Sequence, residues 1–364
     1  MTNPHAAADA HDAHVFRAPE ATFPLDVGGL AQYLETVGLP LDRETAIVQF
    51  GTGLANINYR LRAGDQWLVL RRPPDGELPP GAHDMSREHR ILSRLWQELP
   101  LAPQSLHLCE DKSVIGVPFQ LIEYRPGLVV KGDDRSHFVG KPAVAGRTGT
   151  MLVQTLAAIH AVDPKSVGLD ALGKPDGFID RTIRGWAGRA ARLELRADTK
   201  TLVEDVAQWL QRQNVRPGVP TLLHSDFKLD NLIVDPANLQ PVAIVDWDMG
   251  TRGEPLFDLA TMISYWVEPD DPPCMHDMKQ LPTAAPGFPT RNEVVAEYAR
   301  ITGRDVSDFP ALRVLAMFKL AVVLLQLHAL WKRGAAKGDD YAPLERIATD
   351  LLAFTRDVAA GKAG

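Results

Sequence analysis

The stretch His224-Ser225-Asp226-Phe227-Lys228-Leu229-Asp230-Asn231, followed by the apolar run Leu232-Ile233-Val234, decides how this chain is read. A turn containing Asp235-Pro236-Ala237-Asn238 comes next, and a second apolar run ends in Ile244-Val245-Asp246. Two short apolar runs around such a turn predict a β-hairpin. Antiparallel pairing sets the start of the first strand beside the end of the second, so Asn231 and Asp246 are expected together at the open end. Asp226 falls in the loop just before them. The set offers one carboxylate for proton work, and a carboxamide and a carboxylate for a hard cation. Oxygen donors of this kind suit Mg²⁺ bridging phosphates.

Upstream of this hairpin the pattern has period two. Ile57, Tyr59 and Leu61 alternate with Asn58, Arg60 and Arg62. Ala63-Gly64-Asp65-Gln66 supplies a turn, and Trp67 to Arg71 returns as a second strand. Further strands are predicted at Leu106 to Cys109 and Val117 to Tyr124, with helices at Val27 to Val37 and Ser86 to Trp96. Residues 72–82, rich in Pro and Gly, read as a loop. After Pro126-Gly127 the pattern turns helical. Helices are predicted at Thr148 to His160, Arg181 to Arg196, Thr201 to Gln213, Leu256 to Trp266, Arg291 to Thr302, Ala311 to Arg333 and Leu344 to Ala360. The segment Glu268 to Pro289 holds six prolines and no regular period. A loop that long is usually functional or mobile. The domain reading is therefore a loose leader over 1–25, a β-rich N-terminal lobe over 26–125 and a larger, mainly helical lobe over 126–364. That is an α+β class.

In Trp67-Leu68-Val69-Leu70-Arg71, period two puts Val69 and Arg71 on one face. Glu88 lies three, four and seven residues before Ile91, Leu92 and Leu95, so it sits on the apolar stripe of its helix. A carboxylate on a buried face needs a partner, and Arg71 is the natural one. Arg72 competes, but should face the other way.

Composition narrows the function classes. The chain has 364 residues, which predicts about two domains. Its formal net charge of −7 disfavours a general nucleic-acid binder. Two distant cysteines, Cys109 and Cys274, form no disulfide framework and point to a reducing compartment. The start reads as no signal peptide, and His5, His11 and His14 as part of the leader, not a metal site. Lys319, Gln326 and His328 interrupt the apolar run Val314 to Leu330, which reads as a buried helix and not a membrane span. A cytoplasmic monomer or homodimer is expected, with no nucleic-acid or membrane partner.

His-x-Asp-x-Lys-x-x-Asn followed by a strand ending in Asp resembles the loops of the protein-kinase-like fold, in the aminoglycoside phosphotransferase and choline kinase group. The resemblance covers about residues 45–335. It implies a two-lobed fold, ATP and Mg²⁺ as cofactors, and a small-molecule hydroxyl acceptor. By it, Asp226 orients and deprotonates the acceptor hydroxyl, Lys228 steadies the γ-phosphate, and Asn231 and Asp246 hold Mg²⁺. Asp248 is either a second metal contact or a loop carboxylate. His224 packs behind Asp246 instead of reacting. Asp258, in Gly253-Glu254-Pro255-Leu256-Phe257-Asp258-Leu259-Ala260, buttresses the loop.

Arg71 and Glu88 resemble the kinase strand-lysine and helix-glutamate pair, with Arg in place of Lys. Val69 would line the adenine slot. Gly51-Thr52-Gly53-Leu54-Ala55-Asn56 lacks the third Gly and following helix of a dinucleotide fingerprint. A phosphate flap fits it better, which assigns Gly51, Gly53 and Asn56 to the nucleotide. In Phe119 to Gly127, joining the lobes, backbone groups of Glu123 and Arg125 would bind adenine. Only 12 residues separate Asp246 from Asp258, too few for a protein-kinase activation segment.

Residues 68–92 and 288–305 look like the kinase modules found with acyl-CoA dehydrogenases, implying a hydroxyacyl-CoA acceptor, at the 4-hydroxy position. Arg181, Arg184, Arg192 and Arg196, with Arg189 beside them, fall near one helical face that could hold CoA phosphates. Two alternatives stand beside this reading. One is an aminoglycoside or other amino-alcohol kinase, with acidic walls from Glu268, Asp270, Asp271 and Asp277. The other is a kinase-like binding module without turnover.

Overall fold

The computed structural model describes residues 16–51, 56–74, 84–336 and 338–363. Gly53, most of the 72–82 loop and the three leader histidines lie outside the described residues. In chain order the N-terminal elements are α1 (Val27–Thr36), β1 (Val48–Gln49), β2 (Ile57–Ala63), β3 (Gln66–Arg72), α2 (Met85–Leu95), β4 (Ser105–Cys109) and β5 (Phe119–Glu123). Then come α3 (Pro142–Ala161), α4 (Phe178–Ala190), α5 (Ala197–Gln211), β6 (Thr221–Leu223), β7 (Leu232–Val234), β8 (Pro241–Ile244) and β9 (Thr251–Gly253). The remainder is α6 (Pro255–Ser264), α7 (Pro273–Asp277), α8 (Arg291–Thr302), α9 (Phe309–Lys332) and α10 (Leu344–Ala359).

These elements form two compact units. The first runs to Val129 and adds Lys165–Asp170 and Leu232–Gly250. Its antiparallel sheet has the order β1-β2-β3-β5-β4. β2 buries Ile57, Tyr59, Leu61 and Ala63 in strict alternation, as its pattern predicts. The β2–β3 turn is two residues long, closed by the pair Ala63–Gln66, with Gly64 at φ +56°. Leu30, Leu34, Leu61, Leu70, Phe119 and Leu121 pack into the core under the sheet. α2 is capped by Asp84, whose carboxylate accepts from the Arg87 amide. The helix buries Glu88, Ile91, Leu92 and Leu95.

The β7–β8 hairpin belongs to this unit, with Leu232 opposite Ile244. It is stitched to the end of the sheet by reciprocal Leu128–Val234 backbone bonds of 2.8 Å each. A Cβ at Gly127 would stand 2.8 Å from the Val234 carbonyl, so only glycine allows this approach.

The second unit comprises Val130–Pro164, Ala171–Asn231 and Thr251–Gly364. α9 is long and apolar enough to cross a membrane by length and composition, and 67% of its most apolar window is buried. It packs against α10 and α6. α3 begins at Pro142, six residues before the predicted start. α4 ends at Ala190, so Arg192 and Arg196 stand beyond it. The five arginines therefore do not share one helical face. Arg181 is spent on the carbonyls of Lys174 and Asp176, Arg189 lies 4.6 Å over the Trp186 ring, and Arg196 pairs with Asp198.

The irregular 268–289 segment contains the single-turn helix α7 and is pinned at its start. Arg291 binds both Asp271 oxygens, at 2.5 and 2.7 Å, and Glu268 at 2.8 Å.

Candidate active site

In the second unit the residues around Asp226 form a tightly specified loop. Ser225 adopts φ +71°, a left-handed conformation that a non-glycine residue holds only where its surroundings impose it. Three groups impose it. Asp258, on α6, accepts the His224 and Ser225 amides on its two carboxylate oxygens, each at 2.7 Å. Lys319, on α9, donates its ammonium to the Ser225 carbonyl at 2.7 Å. The His224 ring nitrogen Nδ1 accepts the Asp226 amide at 3.3 Å. Asp258 is fully buried and faces His160 Nε2 at 3.3 Å, while His160 Nδ1 meets the Tyr298 hydroxyl at 2.7 Å. Burial pushes the Asp258 carboxyl upward, but His160, His224 and the amide bonds outweigh it and hold the group below the usual range. The buttress role expected of Asp258 is thus what its geometry shows.

The Asp226 carboxylate is anchored at both oxygens. Tyr265, directly after α6, donates its hydroxyl to Oδ1 at 2.9 Å. Asn231 donates its amide nitrogen to Oδ2 at 3.2 Å and to the Asp226 carbonyl at 2.8 Å. With its nitrogen committed there, the Asn231 amide has only its oxygen left for a cation. Lys228 stands 3.8 Å from Asp226 and 3.5 Å from Asp230. Its ammonium also reaches Gln280 at 3.4 Å and sits 4.9 Å over the Tyr265 ring. Burial and the Asp226 charge push the Asp230 carboxyl up, and Lys228 draws it back.

In the first unit, Arg71, Glu88, Asp246 and Asp248 are brought together. Arg71 forms an ion pair with Glu88, its Nε 2.7 Å from a carboxylate oxygen, and its terminal nitrogen hydrogen-bonds Asp246. Glu88 is 1% exposed and also accepts from the Gln120 amide and from the Trp247 backbone N–H at 3.2 Å. Burial pushes the Glu88 carboxyl up, Arg71 pulls it down, and the net shift is upward. Burial disfavours the Arg71 charge, yet Glu88, Asp246 and Asp248 more than compensate and raise its pKa. Asp246, at φ +68°, begins the short turn Trp247–Met249, and Arg87 holds the Asp248 carbonyl at 3.2 Å. Arg72 turns away to the carbonyls of Pro24 and Pro73.

The other assigned residues are more scattered. Val69 is half-buried opposite Ile122, Asn56 is buried just before β2, and Gly51 is exposed. Glu123 and Arg125 pair with each other at 2.7 Å. They lie toward the other end of β3 from Arg71, since Glu123 faces Leu68 while Arg71 faces Gln120. The Glu123 amide donates to the Gln104 carbonyl at 2.8 Å.

The donor chemistry fits Mg²⁺. Among the described residues no group of three or more His, Cys, Asp or Glu side chains could hold a metal by itself. Mg²⁺ does not need such a cage, because it is usually bound by one or two protein oxygens together with phosphate oxygens and water.

A sequence profile of the phosphotransferase enzyme family (APH) matches residues 46–294. Mouse acyl-CoA dehydrogenase family member 10 is 32% identical over 310 residues, which is 85% of this chain but 29% of that protein. The chain thus spans under a third of that relative's length. A structure from Ralstonia eutropha, provisionally assigned as an aminoglycoside phosphotransferase, superposes with TM-score 0.73 at 24% identity, covering 93% of this chain and 99% of the other. A thermostable mutant of aminoglycoside phosphotransferase APH(4)-Ia, solved with AMP-PNP and hygromycin B, gives TM-score 0.55 at 15% identity, covering 89% and 98%. The fold is the kinase-like phosphotransferase fold, with a β-rich N-terminal region and a helical remainder.

Proposed function

Because the chain belongs to the phosphotransferase enzyme family, we propose that it transfers the γ-phosphoryl group of ATP to the hydroxyl of a hydroxyacyl-CoA, at the 4-hydroxy position. The coarser statement, a phosphotransferase acting on a small-molecule hydroxyl, is what family membership establishes. The observation that supports transfer to a hydroxyl is the doubly anchored Asp226 carboxylate in a loop built from His224 to Asn231. A carboxylate fixed in rotation and partly open to solvent is poised to orient an acceptor hydroxyl and take its proton.

In this reading Asp226 is the base and Lys228 steadies the transferring group. Arg71, held by Glu88, contacts the nucleotide phosphates together with the flap at Gly51, Gly53 and Asn56. Val69 and the Glu123–Arg125 segment face the base of the nucleotide. The Asn231 oxygen in the second unit, and Asp246 with Asp248 in the first, would each offer oxygen donors to Mg²⁺, which when bound would neutralise phosphate charge. The nucleotide-bound APH(4)-Ia complex supports ATP as donor.

The acyl-CoA acceptor is supported by the acyl-CoA dehydrogenase family relative. The structure also weakens the amino-alcohol alternative. A cationic acceptor needs uncompensated acid, but Glu268 and Asp271 are bound by Arg291, and Asp277 pairs with Arg346 at 2.8 Å. Of the four acids expected to form that wall, Asp270 alone has no ion-pair partner among the described residues.

The test is incubation with ATP, Mg²⁺ and a panel of 4-hydroxyacyl-CoAs, 3-hydroxyacyl-CoAs and aminoglycosides, with products read by mass. One phosphoryl group gained on a 4-hydroxyacyl-CoA, and lost in Asp226→Asn, is the expected result. Transfer to an aminoglycoside alone would move the acceptor to the amino-alcohol class. Nucleotide binding without transfer, unchanged in Asp226→Asn, would leave a binding module.

A further inference from the structure

We propose that Tyr265 is the positioning residue of the Asp226 carboxylate, fixing its rotation for attack through the hydroxyl and seating Lys228 on the ring. The proposal rests on the reading of Asp226 as the base. No motif read from the sequence includes this tyrosine.

Asp258 and Tyr265 are seven residues apart, two helical turns, so one face of α6 presents both. The first fixes the backbone of the loop through the His224 and Ser225 amides. The second fixes the side chain that the loop displays. A single rigid element therefore sets both where Asp226 is and which way its carboxylate plane faces.

The hydroxyl is needed because rotation about the last bond of an aspartate is soft. That torsion is broad and roughly two-fold, so one hydrogen bond leaves the plane free to swing. Asn231 restrains Oδ2 and Tyr265 restrains Oδ1, which leaves the remaining lone pairs in a fixed direction. Tyr265 is itself well placed to do only this. It is 9% exposed, and burial together with the charges of Asp226 and Asp230 keeps its hydroxyl protonated far above the ordinary range. It can donate to the carboxylate but does not compete for the acceptor's proton.

The ring has a second consequence. Lys228 lies 4.9 Å above it and 3.8 Å from Asp226, beyond direct hydrogen-bond distance. Held over the ring face and by Gln280 and Asp230, the ammonium does not close onto the base. A closed Lys228–Asp226 pair would occupy the oxygen that the acceptor needs.

The test compares the full-length chain with Tyr265→Phe and Asp226→Asn, using ATP, Mg²⁺ and a 4-hydroxyacyl-CoA as probe. Tyr265→Phe keeps the ring and removes one oxygen. The expected result is a kcat loss of about 10- to 100-fold with the KM values of both substrates within about twofold, because misplacement acts on the reacting geometry and not on binding. A merely structural tyrosine would instead lower the melting temperature and leave kcat of the folded fraction intact. Unchanged kcat in Tyr265→Phe, with Asp226→Asn inactive, would overturn the proposal while sparing the base. Full activity in Asp226→Asn would overturn the base reading. A crystal structure of Tyr265→Phe decides the positioning role without any substrate. An Asp226 carboxylate rotated away from its present plane is expected, and an unmoved one would refute it.

Discussion

The buried Arg71–Glu88 pair makes a quantitative prediction for the first unit. Glu88 pairs with Arg71 and accepts hydrogen bonds from Gln120 and the Trp247 backbone, and almost none of it meets water. Glu88→Leu removes all three and leaves the Arg71 guanidinium with Asp246. Breaking a buried pair from one side costs about 3–5 kcal/mol, because the surviving charge is left in a poor solvent. Arg71→Met is expected to cost less. The Glu88 carboxyl, already pushed upward by burial, then takes up a proton and stops being a bare charge. In the double variant Arg71→Met/Glu88→Leu no uncompensated charge stays buried at this point, and Asp246, whose side chain is 32% exposed, turns to water. The double variant should therefore be more stable than the sum of the singles implies, by about 1–3 kcal/mol of coupling. Urea unfolding gives the three differences. Hydrogen exchange of peptides spanning 244–250 localises them, since the Trp247 amide loses its acceptor whenever Glu88 is replaced. Additivity within about 0.5 kcal/mol would refute the reasoning, because it would mean that the two charges do not sense one another.

Two further outcomes are expected in the second unit. Asp258 is held below its ordinary value of 3.8, so its stabilising interactions are present above that pH and are lost as pH falls through the lower folded value. Wild-type protein should therefore lose stability on acidification below about pH 4 more steeply than Asp258→Asn, as read by denaturation at stepped pH. Equal slopes would show that the carboxylate is not what the loop amides and His160 stabilise. Lys319 has the same sign of linkage in a more alkaline window. Burial lowers its pKa from 10.5, partly offset by Asp226 and Asp258, so below 10.5 the unfolded chain binds more protons than the folded one. Stability that rises with pH toward 10.5 in the wild type should flatten in Lys319→Met, which also orphans the Ser225 carbonyl at a cost of about 1–3 kcal/mol at neutral pH.

The elements that could be read from the chain are those whose signal is local. β2 and β3 show period two with Gly64 in the turn, and their register follows from that. α8 begins and ends where its pattern predicts, because Thr290 and Glu293 form a reciprocal capping box and Gly303 closes the last turn in a left-handed conformation. α3 starts earlier than predicted because its first turns carry no apolar stripe. Small residues occupy that face, and a Cβ at Gly146 would stand 3.2 Å from the Gly287 carbonyl, so these turns are specified by close approach to a distant loop and not by periodicity. α4 stops before the arginine run ends for a similar reason. Those side chains find partners in nearby loops and acids, so no single face collects them.

The site divides along the same line. Asp226, Lys228 and Asn231 stand within six residues, where spacing alone exposes them. Tyr265 and Lys319 reach the same loop from 39 and 94 positions away, and no local pattern could pair them. Yet one of the two left a trace. The rule that a charged residue on an apolar face must have a partner found Arg71 for Glu88. Lys319 is the same anomaly, an ammonium inside the apolar run 314–330. Its partner turned out to be a backbone carbonyl in a left-handed residue of the loop that the motif had already marked. Tyr265 left no such trace, since a tyrosine at the end of an apolar helix is ordinary core material. What distinguishes it is the acid that its hydroxyl meets, and only the fold supplies that.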